Sequence, residues 1–256
     1  VAAAFAYETN LRRERLVLIV DVGGGTTDLT LVRLGPDRAP RADRTTDVLG
    51  AAGDRIGGTD LDARLAFRAF TPVLGRESML ESGLPVPNHH FVDLCSVADV
   101  NAQTRFGSAA TGETLVDYLT RAESPARIAR LLRLHEMGGS FRFNRTAEHA
   151  KIELSGKAEA SADLSWLEAD LALAASRLDL EWAAQPLLDR IGELAGDVRA
   201  QGGAAPDVVF VTGGTALSPV IAEGLRDRLG AIEIVVGDLF GSVATGLGLS
   251  AQRTLS

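Results

Sequence analysis

Apolar residues recur along this chain in two rhythms. Residues 17–20 (Val-Leu-Ile-Val) form an unbroken, β-branched-rich run, the mark of a strand buried on both faces. The run stops at Asp21, passes Gly23, Gly24 and Gly25, and resumes over residues 29–34. This pattern predicts a hairpin with a glycine turn, Thr26 and Thr27 at its tip and a carboxylate, Asp21 or Asp28, on either side. Residues 45–49 predict a third strand of the same meander, and residues 51–58 (A-A-G-D-R-I-G-G) a second glycine-rich turn. Val208–Thr212 and residues 232–236 predict two more strands; residues 157–164 and 171–175 predict weaker ones.

The other rhythm is helical. Residues 59–70 place Leu61, Leu65 and Ala69 on one face behind Thr59 or Asp60 as N-cap. Further helices are predicted over 114–121, 125–135 (with Pro at its first position), 141–154, 178–200, 218–229 (capped by Ser218) and 240–253. Residues 71–108, with Pro72, Pro85, Pro87 and the pair His89-His90, show the least periodicity. A meander followed by strand–helix alternation predicts an α/β fold, a mixed sheet flanked by helices. That core is expected over residues 1–65 and 158–256, with residues 66–157 inserted as a mostly helical, lid-like subdomain. The Ala-rich start lacks a Met and a cap, and so reads as the end of a helix in a longer protein.

Composition narrows the function. With 256 residues the chain can fill one large domain or two lobes. A net charge of −8 argues against nucleic acid as a partner. A lone cysteine, Cys95, leaves no internal disulfide and fits a reducing cytoplasm. No apolar run nears the roughly 20 residues that span a bilayer, so no membrane segment is expected. His89, His90, His135 and His149 lack a metal-ligand spacing.

Four stretches carry candidate chemistry. The amides of a Gly23–Gly24–Gly25–Thr26 turn can cradle phosphate oxygens, and Asp21 and Asp28 can hold magnesium through water. Gly57-Gly58 precede a helix beginning T-D-L-D, where a helix start receives an anion. Glu148, Lys151 and Ser155 share one helical face, an arrangement that is most often solvated. Gly213-Gly214 end a buried strand, and ligands of α/β sheets collect at the carboxyl ends of strands.

In this order, the stretches resemble the actin-like ATPase superfamily, and within it the DnaK-type heat-shock chaperones. The hairpin is similar to that family's second phosphate loop, and G-D-R-I-G-G-T-D-L-D at 53–62 to its G-D-x-x-L-G-G-x-D-F-D stretch. E-H-A-K-I-E-L-S at 148–155 resembles the E-x-A-K-x-x-L-S helix, and V-T-G-G-T-A-L-S-P at 211–219 the adenosine motif. G-S-V-A-T-G-L at 241–247 resembles the segment that closes the ATPase domain. The similarity is closer to the YegD-type chaperone-like branch, through I-G-G-x-D-L-D, the L-P-x-P stretch at 84–87 and D-x-F-G-S-V at 238–243. The resemblance implies a second ATPase lobe that binds ATP or ADP with magnesium opposite an N-terminal lobe of the same protein, and acts on a protein client or co-chaperone.

Carried over, Gly23, Gly24, Gly25 and Thr26 would contact the phosphates, and Asp21 and Asp28 would serve magnesium and catalysis. Gly58, Gly213, Gly214 and Thr215 would flank ribose and phosphates. Glu148, Lys151 and Ser155 would edge the adenosine. The departures are equally specific. The family's first phosphate loop, D-x-G-T-T, has no counterpart, and its E-P-T-A-A-A glutamate would fall just before Val1. Where the family places adenine-stacking arginines stand Ile152 and Leu217. These departures leave a rival expectation, a pseudo-ATPase or nucleotide-sensing module without hydrolysis. Losing the stacking cations costs about 1 kcal/mol or more per contact. Replacing Ile152 and Leu217 together by Arg is therefore expected to tighten nucleotide binding in a titration of the full-length protein; unchanged affinity counts against this base pocket.

Overall fold

A computed structural model describes residues 7–41 and 43–237. The expected helix ends at 1–6 and 240–253, and the motifs within 238–247, lie outside them. Among the described residues seven strands form: β1 (Arg15–Val22), β2 (Thr27–Leu34), β3 (Val48–Asp54), β4 (Glu159–Asp163), β5 (Ala172–Ser176), β6 (Val208–Thr212) and β7 (Glu233–Val236). Five of them make one sheet in the order β3-β2-β1-β6-β7. The β1–β2 and β2–β3 pairs are antiparallel, and β1–β6 and β6–β7 are parallel. The chain is α/β with a mixed sheet, and the three meander strands share it with Val208–Thr212 as the apolar runs predicted.

The chain divides into two compact units, Val1–Gly58 with Ala184–Ser256, and Thr59–Ala183. In the first, β1 is central and buried on both sides. Val17 and Ile19 pack with Val32, Leu34 and Phe210, and Tyr7, Leu11 and Val235 close over them. The Tyr7 ring stacks on Phe210 at 4.9 Å between centroids. Leu18 pairs with Leu31 and Val20 with Leu29 on the opposite face, where Leu31 meets Gly202 of the helix Arg177–Gly202. The same helix approaches β3 so closely that a methyl on Gly50 would stand 2.8 Å from the Val198 carbonyl oxygen. This explains a difference from expectation. Residues 51–54, expected as part of the 51–58 turn, extend β3 to Asp54 beneath the helix, while Thr45–Asp47, expected as strand, forms a 3-10 turn. Before that turn, Arg44 pairs with buried Glu8, and Arg38 and Arg44 both pair with buried Asp47. These pairings keep two interior carboxylates from being left without a counter-charge.

The second unit is mostly helical. Its helices are His89–Cys95, Val100–Phe106, Ala109–Arg121, Pro125–Glu136 and Ser140–Leu154, beside the β4–β5 hairpin. The expected helix at 59–70 is shorter: Gly58–Leu65 is α-helical, followed by a π turn, Ala66–Phe70, and a 3-10 turn, Thr71–Leu74. The stretch expected to be irregular holds two seven-residue helices, each too short to show the periodicity by which longer helices are recognised. Asp99 caps the second by accepting from the Asn101 and Ala102 amides. Phe70, Phe91, Leu94, Leu115, Leu131 and Phe143 are fully buried, with Phe70 and Phe143 edge-to-face. Cys95 lies in this interior, where burial pushes its thiol pKa far up.

One interior group is set against its surroundings. His90 is 5% exposed and its Nε2 has no partner among the described residues. Burial, with His89 and His135 nearby, lowers its pKa from 6.5 to about 4, against the opposing pull of Asp93. A depressed folded-state pKa means that the unfolded chain takes up the proton first as pH falls. The stability held by neutral His90 is therefore complete above pH 6.5 and is lost progressively down to about pH 4. Urea unfolding of His90→Gln across this range is expected to show a shallower dependence of stability on pH than the parent; an equal slope would mean that His90 is not the titrating group.

Candidate functional site

The carboxyl ends of β1 and β6 lie side by side because the two strands run parallel in register, Asp21 opposite Thr212. Beyond them the chain turns at Gly23–Thr26 and, after Gly213, in the 3-10 turn Gly214–Leu217. Both turns, and the glycine pair before the helix Gly58–Leu65, meet at one atom. The Gly23 carbonyl oxygen accepts the Gly58 N–H at 3.0 Å and the Thr215 hydroxyl at 2.9 Å. Within the hairpin, the Gly23 N–H donates to the Thr26 carbonyl at 2.9 Å. Nearby, the buried Thr27 hydroxyl donates to the Ile56 carbonyl at 2.7 Å.

The glycines here are required by close approach. A methyl on Gly57 would lie 2.8 Å from the carbonyl oxygens of both Gly23 and Gly24, and one on Gly58 would lie 2.5 Å from the Thr215 hydroxyl. Gly213 has φ +95 and packs against the Val22 carbonyl, so it needs both the left-handed backbone and the missing side chain. Gly214 faces open space. Gly24, Gly25 and Thr26 are exposed, and the Gly24 and Gly25 amides have no acceptor among the described residues.

The acids flank this turn. Asp21 and Asp28 are directly opposite in the β1–β2 register, Asp21 half-buried and Asp28 exposed. Burial, with Asp28 adding like-charge repulsion, raises the Asp21 pKa above the ordinary aspartate value. Gly53 on β3 leaves the room that the Asp28 carboxylate occupies. Free outward amides suit phosphate oxygens, and two facing carboxylates suit a hydrated divalent cation, so the donor set fits both groups.

The remaining candidates belong to the second unit. Glu148 and Ile152 are exposed on the helix Ser140–Leu154, Ile152 to 60%. Phe143, Ala147, Ala150 and Leu154 occupy the buried face of the same helix. Lys151 is half-buried, and its Nζ lies 2.8 and 2.9 Å from the two carboxylate oxygens of buried Asp62. Burial raises the Asp62 pKa to about 6 despite Lys151, with Glu148 and Asp60 contributing repulsion. Ser155 turns its hydroxyl back to the Lys151 carbonyl at 3.2 Å. A cavity of about 810 Å³ in this unit is lined by Thr59, Asp62, Asn144, Arg145, Glu148 and Trp166 among others. Of the expected adenosine residues, it takes Glu148 into its wall. The side chain of Leu217 lies outside the described residues.

Sequence reasoning assigned no binding role to Asp62 or Thr27. Asp62 was visible as the last acid of G-G-T-D-L-D, but nothing along the chain pairs it with a lysine 89 positions away. Ser218 holds the N-cap position before Pro219–Leu229, yet its hydroxyl makes no cap hydrogen bond.

No protein-family model matches the chain. A DnaK chaperone of Thermus thermophilus is 27% identical over 241 residues, which cover 90% of this chain and 30% of that protein. The DnaK chaperone of Endomicrobium trichonymphae is 24% identical over 241 residues, covering 90% and 29%. That of Elusimicrobium minutum is 40% identical over a shorter stretch of 63 residues, 24% of this chain and 9% of that protein. The chain is distantly similar to DnaK chaperones along most of its length. It spans about three tenths of the length of the curated relatives that it matches over that length. Among the described residues, no helix is long and apolar enough to cross a membrane.

The convergence on Gly23 makes a local prediction. Gly213→Ala places a methyl against the Val22 carbonyl on a backbone that alanine rarely adopts, at a cost of roughly 1–3 kcal/mol. Gly214→Ala meets open space and is expected to stay within about 0.5 kcal/mol of the parent. Chemical denaturation of both variants checks the pair; equal losses would contradict the close packing at Gly213.

Proposed function

We propose that this chain is the second lobe of an actin-like ATPase region in a DnaK-like, YegD-type chaperone-like protein. The observation that carries the proposal is the Gly23 carbonyl, which ties the hairpin turn to Gly58 and Thr215 while the amides of exposed Gly24 and Gly25 have no acceptor among the described residues. Three of the stretches that resemble the family thus adjoin one another, although they lie far apart in sequence. The distant similarity to DnaK chaperones agrees with this reading.

In this reading Gly24, Gly25 and Thr26 bind the phosphates of ATP or ADP through backbone and hydroxyl donors. Gly58, Gly213 and Gly214 bring backbone close to the nucleotide, and Thr215 holds the turn. Asp21 and Asp28 accept from magnesium-bound waters; magnesium, when bound, neutralises phosphate charge. The Asp21 pKa is raised chiefly by burial, with Asp28 adding repulsion, and a cation between the two carboxylates would favour their charged forms. Glu148, Lys151, Ile152 and Ser155 edge the adenosine, with Lys151 steadied by Asp62. The output is nucleotide-driven closure against an N-terminal lobe, gating a protein client or co-chaperone.

A second reading, a nucleotide-sensing module without hydrolysis, is favoured by Ile152. It leaves an exposed aliphatic side chain where the resemblance calls for a stacking guanidinium.

Phosphoryl transfer needs charge stabilisation from several sides, and the resemblance assigns part of it to the other lobe. This chain by itself is therefore expected to show no useful ATP turnover. The full-length protein is expected to bind ADP more tightly with magnesium than without, and Asp21→Asn to abolish most of that difference. Calorimetric titration and steady-state turnover check both. Robust turnover by this chain alone that survives Asp21→Asn would move the chemistry elsewhere.

A further inference from the structure

Thr215 reads from sequence as a ligand contact, but its hydroxyl is already spent. It donates to the Gly23 carbonyl at 2.9 Å, across 192 positions of the chain. The same oxygen takes the Gly58 N–H at 3.0 Å. A carbonyl oxygen has two lone pairs, so these two donors saturate it.

The consequence follows from peptide planarity. The Gly23 carbonyl and the Gly24 N–H belong to one peptide plane and point in opposite directions. Fixing the oxygen inward on Thr215 and Gly58 fixes the Gly24 amide outward, where it is exposed and has no acceptor among the described residues. Glycine on both sides of that plane gives no steric resistance to a flip, which would turn the carbonyl outward and present oxygen to an anion. Gly58 alone supplies one donor from a backbone that its own helix positions. Thr215 supplies the second from the turn that follows β6, the strand paired with β1.

We propose that Thr215 is a positioning residue: through the Gly23 carbonyl, it holds the phosphate-facing amide of Gly24 in its binding orientation. The role rests on the nucleotide reading above and adds a division of labour to it. Thr215 acts on the part of affinity that comes from phosphates and leaves the part that comes from the nucleoside unchanged. It also links the turn after β6 to the hairpin turn, so a ligand that moves one disturbs the other.

The test compares the parent protein with Thr215→Val and Thr215→Ser at full length, titrating magnesium with ADP, and adenosine separately. Valine keeps the shape and removes the donor; serine restores the donor. Removing one such hydrogen bond is worth about tenfold. The expected result is a roughly tenfold weaker affinity for ADP in Thr215→Val, unchanged adenosine affinity, and recovery of ADP binding in Thr215→Ser. General damage to the fold would lower both affinities together and would not be rescued selectively, which would overturn the role. Equal ADP affinity in parent and Thr215→Val would overturn it as well, leaving nucleotide binding intact. A parent that binds neither ADP nor adenosine would remove the nucleotide reading itself, and this role with it.

Discussion

The architecture of the first unit turns on the saturation of one carbonyl. Three segments separated by long stretches of chain end at the Gly23 oxygen, and each reaches it only because no side chain intervenes at Gly57, Gly58 or Gly213. Parallel pairing of β1 with β6 brings the segments to the same edge, and the hydrogen bonds to Gly23 set their final orientation. A buried or half-buried carbonyl with two donors is a low-cost way to order a loop, since it uses backbone already present. The order it imposes leaves the neighbouring Gly24 and Gly25 amides without an acceptor among the described residues. That is the state a binding loop needs.

The two units put different chemistry forward. In the first, candidate groups are backbone amides and a facing pair of aspartates, arranged by strand register. In the second, they are side chains on one exposed helical face, and the cation among them, Lys151, is ion-paired with Asp62 and hydrogen-bonded to its Oδ2. Desolvation raises the Asp62 pKa while Lys151 pulls it down, so the pair is a balance between burial and attraction. The unit also buries a histidine, His90, whose Nε2 has no hydrogen-bond partner among the described residues. It therefore carries more acid-sensitive groups in its interior than a core of aliphatic and aromatic side chains alone would have.

Much of this was legible in the residues. The run at 17–20, the glycine triplet and Val208–Thr212 specified buried strands and their ends, because long apolar runs have few alternatives. The long helix at 140–154 was equally clear from its spacing. What escaped was set by distant partners. Residues 51–54 look like part of a turn until the helix lying over Gly50 explains why β3 cannot carry a larger side chain there. The two short helices of 89–106 fall below the length at which periodicity registers. The Asp62–Lys151 pair and the Thr215–Gly23 hydrogen bond leave no local trace, since each joins positions remote along the chain.

The parallel β1–β6 pairing has a consequence for how the molecule comes to exist. The Leu16 amide donates to the Asp207 side chain, and the Asp207 amide returns a hydrogen bond to the Leu16 carbonyl, closing a loop of 191 positions. During synthesis, β1, β2 and β3 leave the ribosome long before β6, and within this sheet they can pair only with one another. Until β6 arrives, the central strand of the sheet stands as an open edge, with one row of backbone groups unmatched. The nascent chain thus passes through a long interval as a sticky, three-stranded fragment, and its yield depends on what shields that edge while the intervening residues are being made.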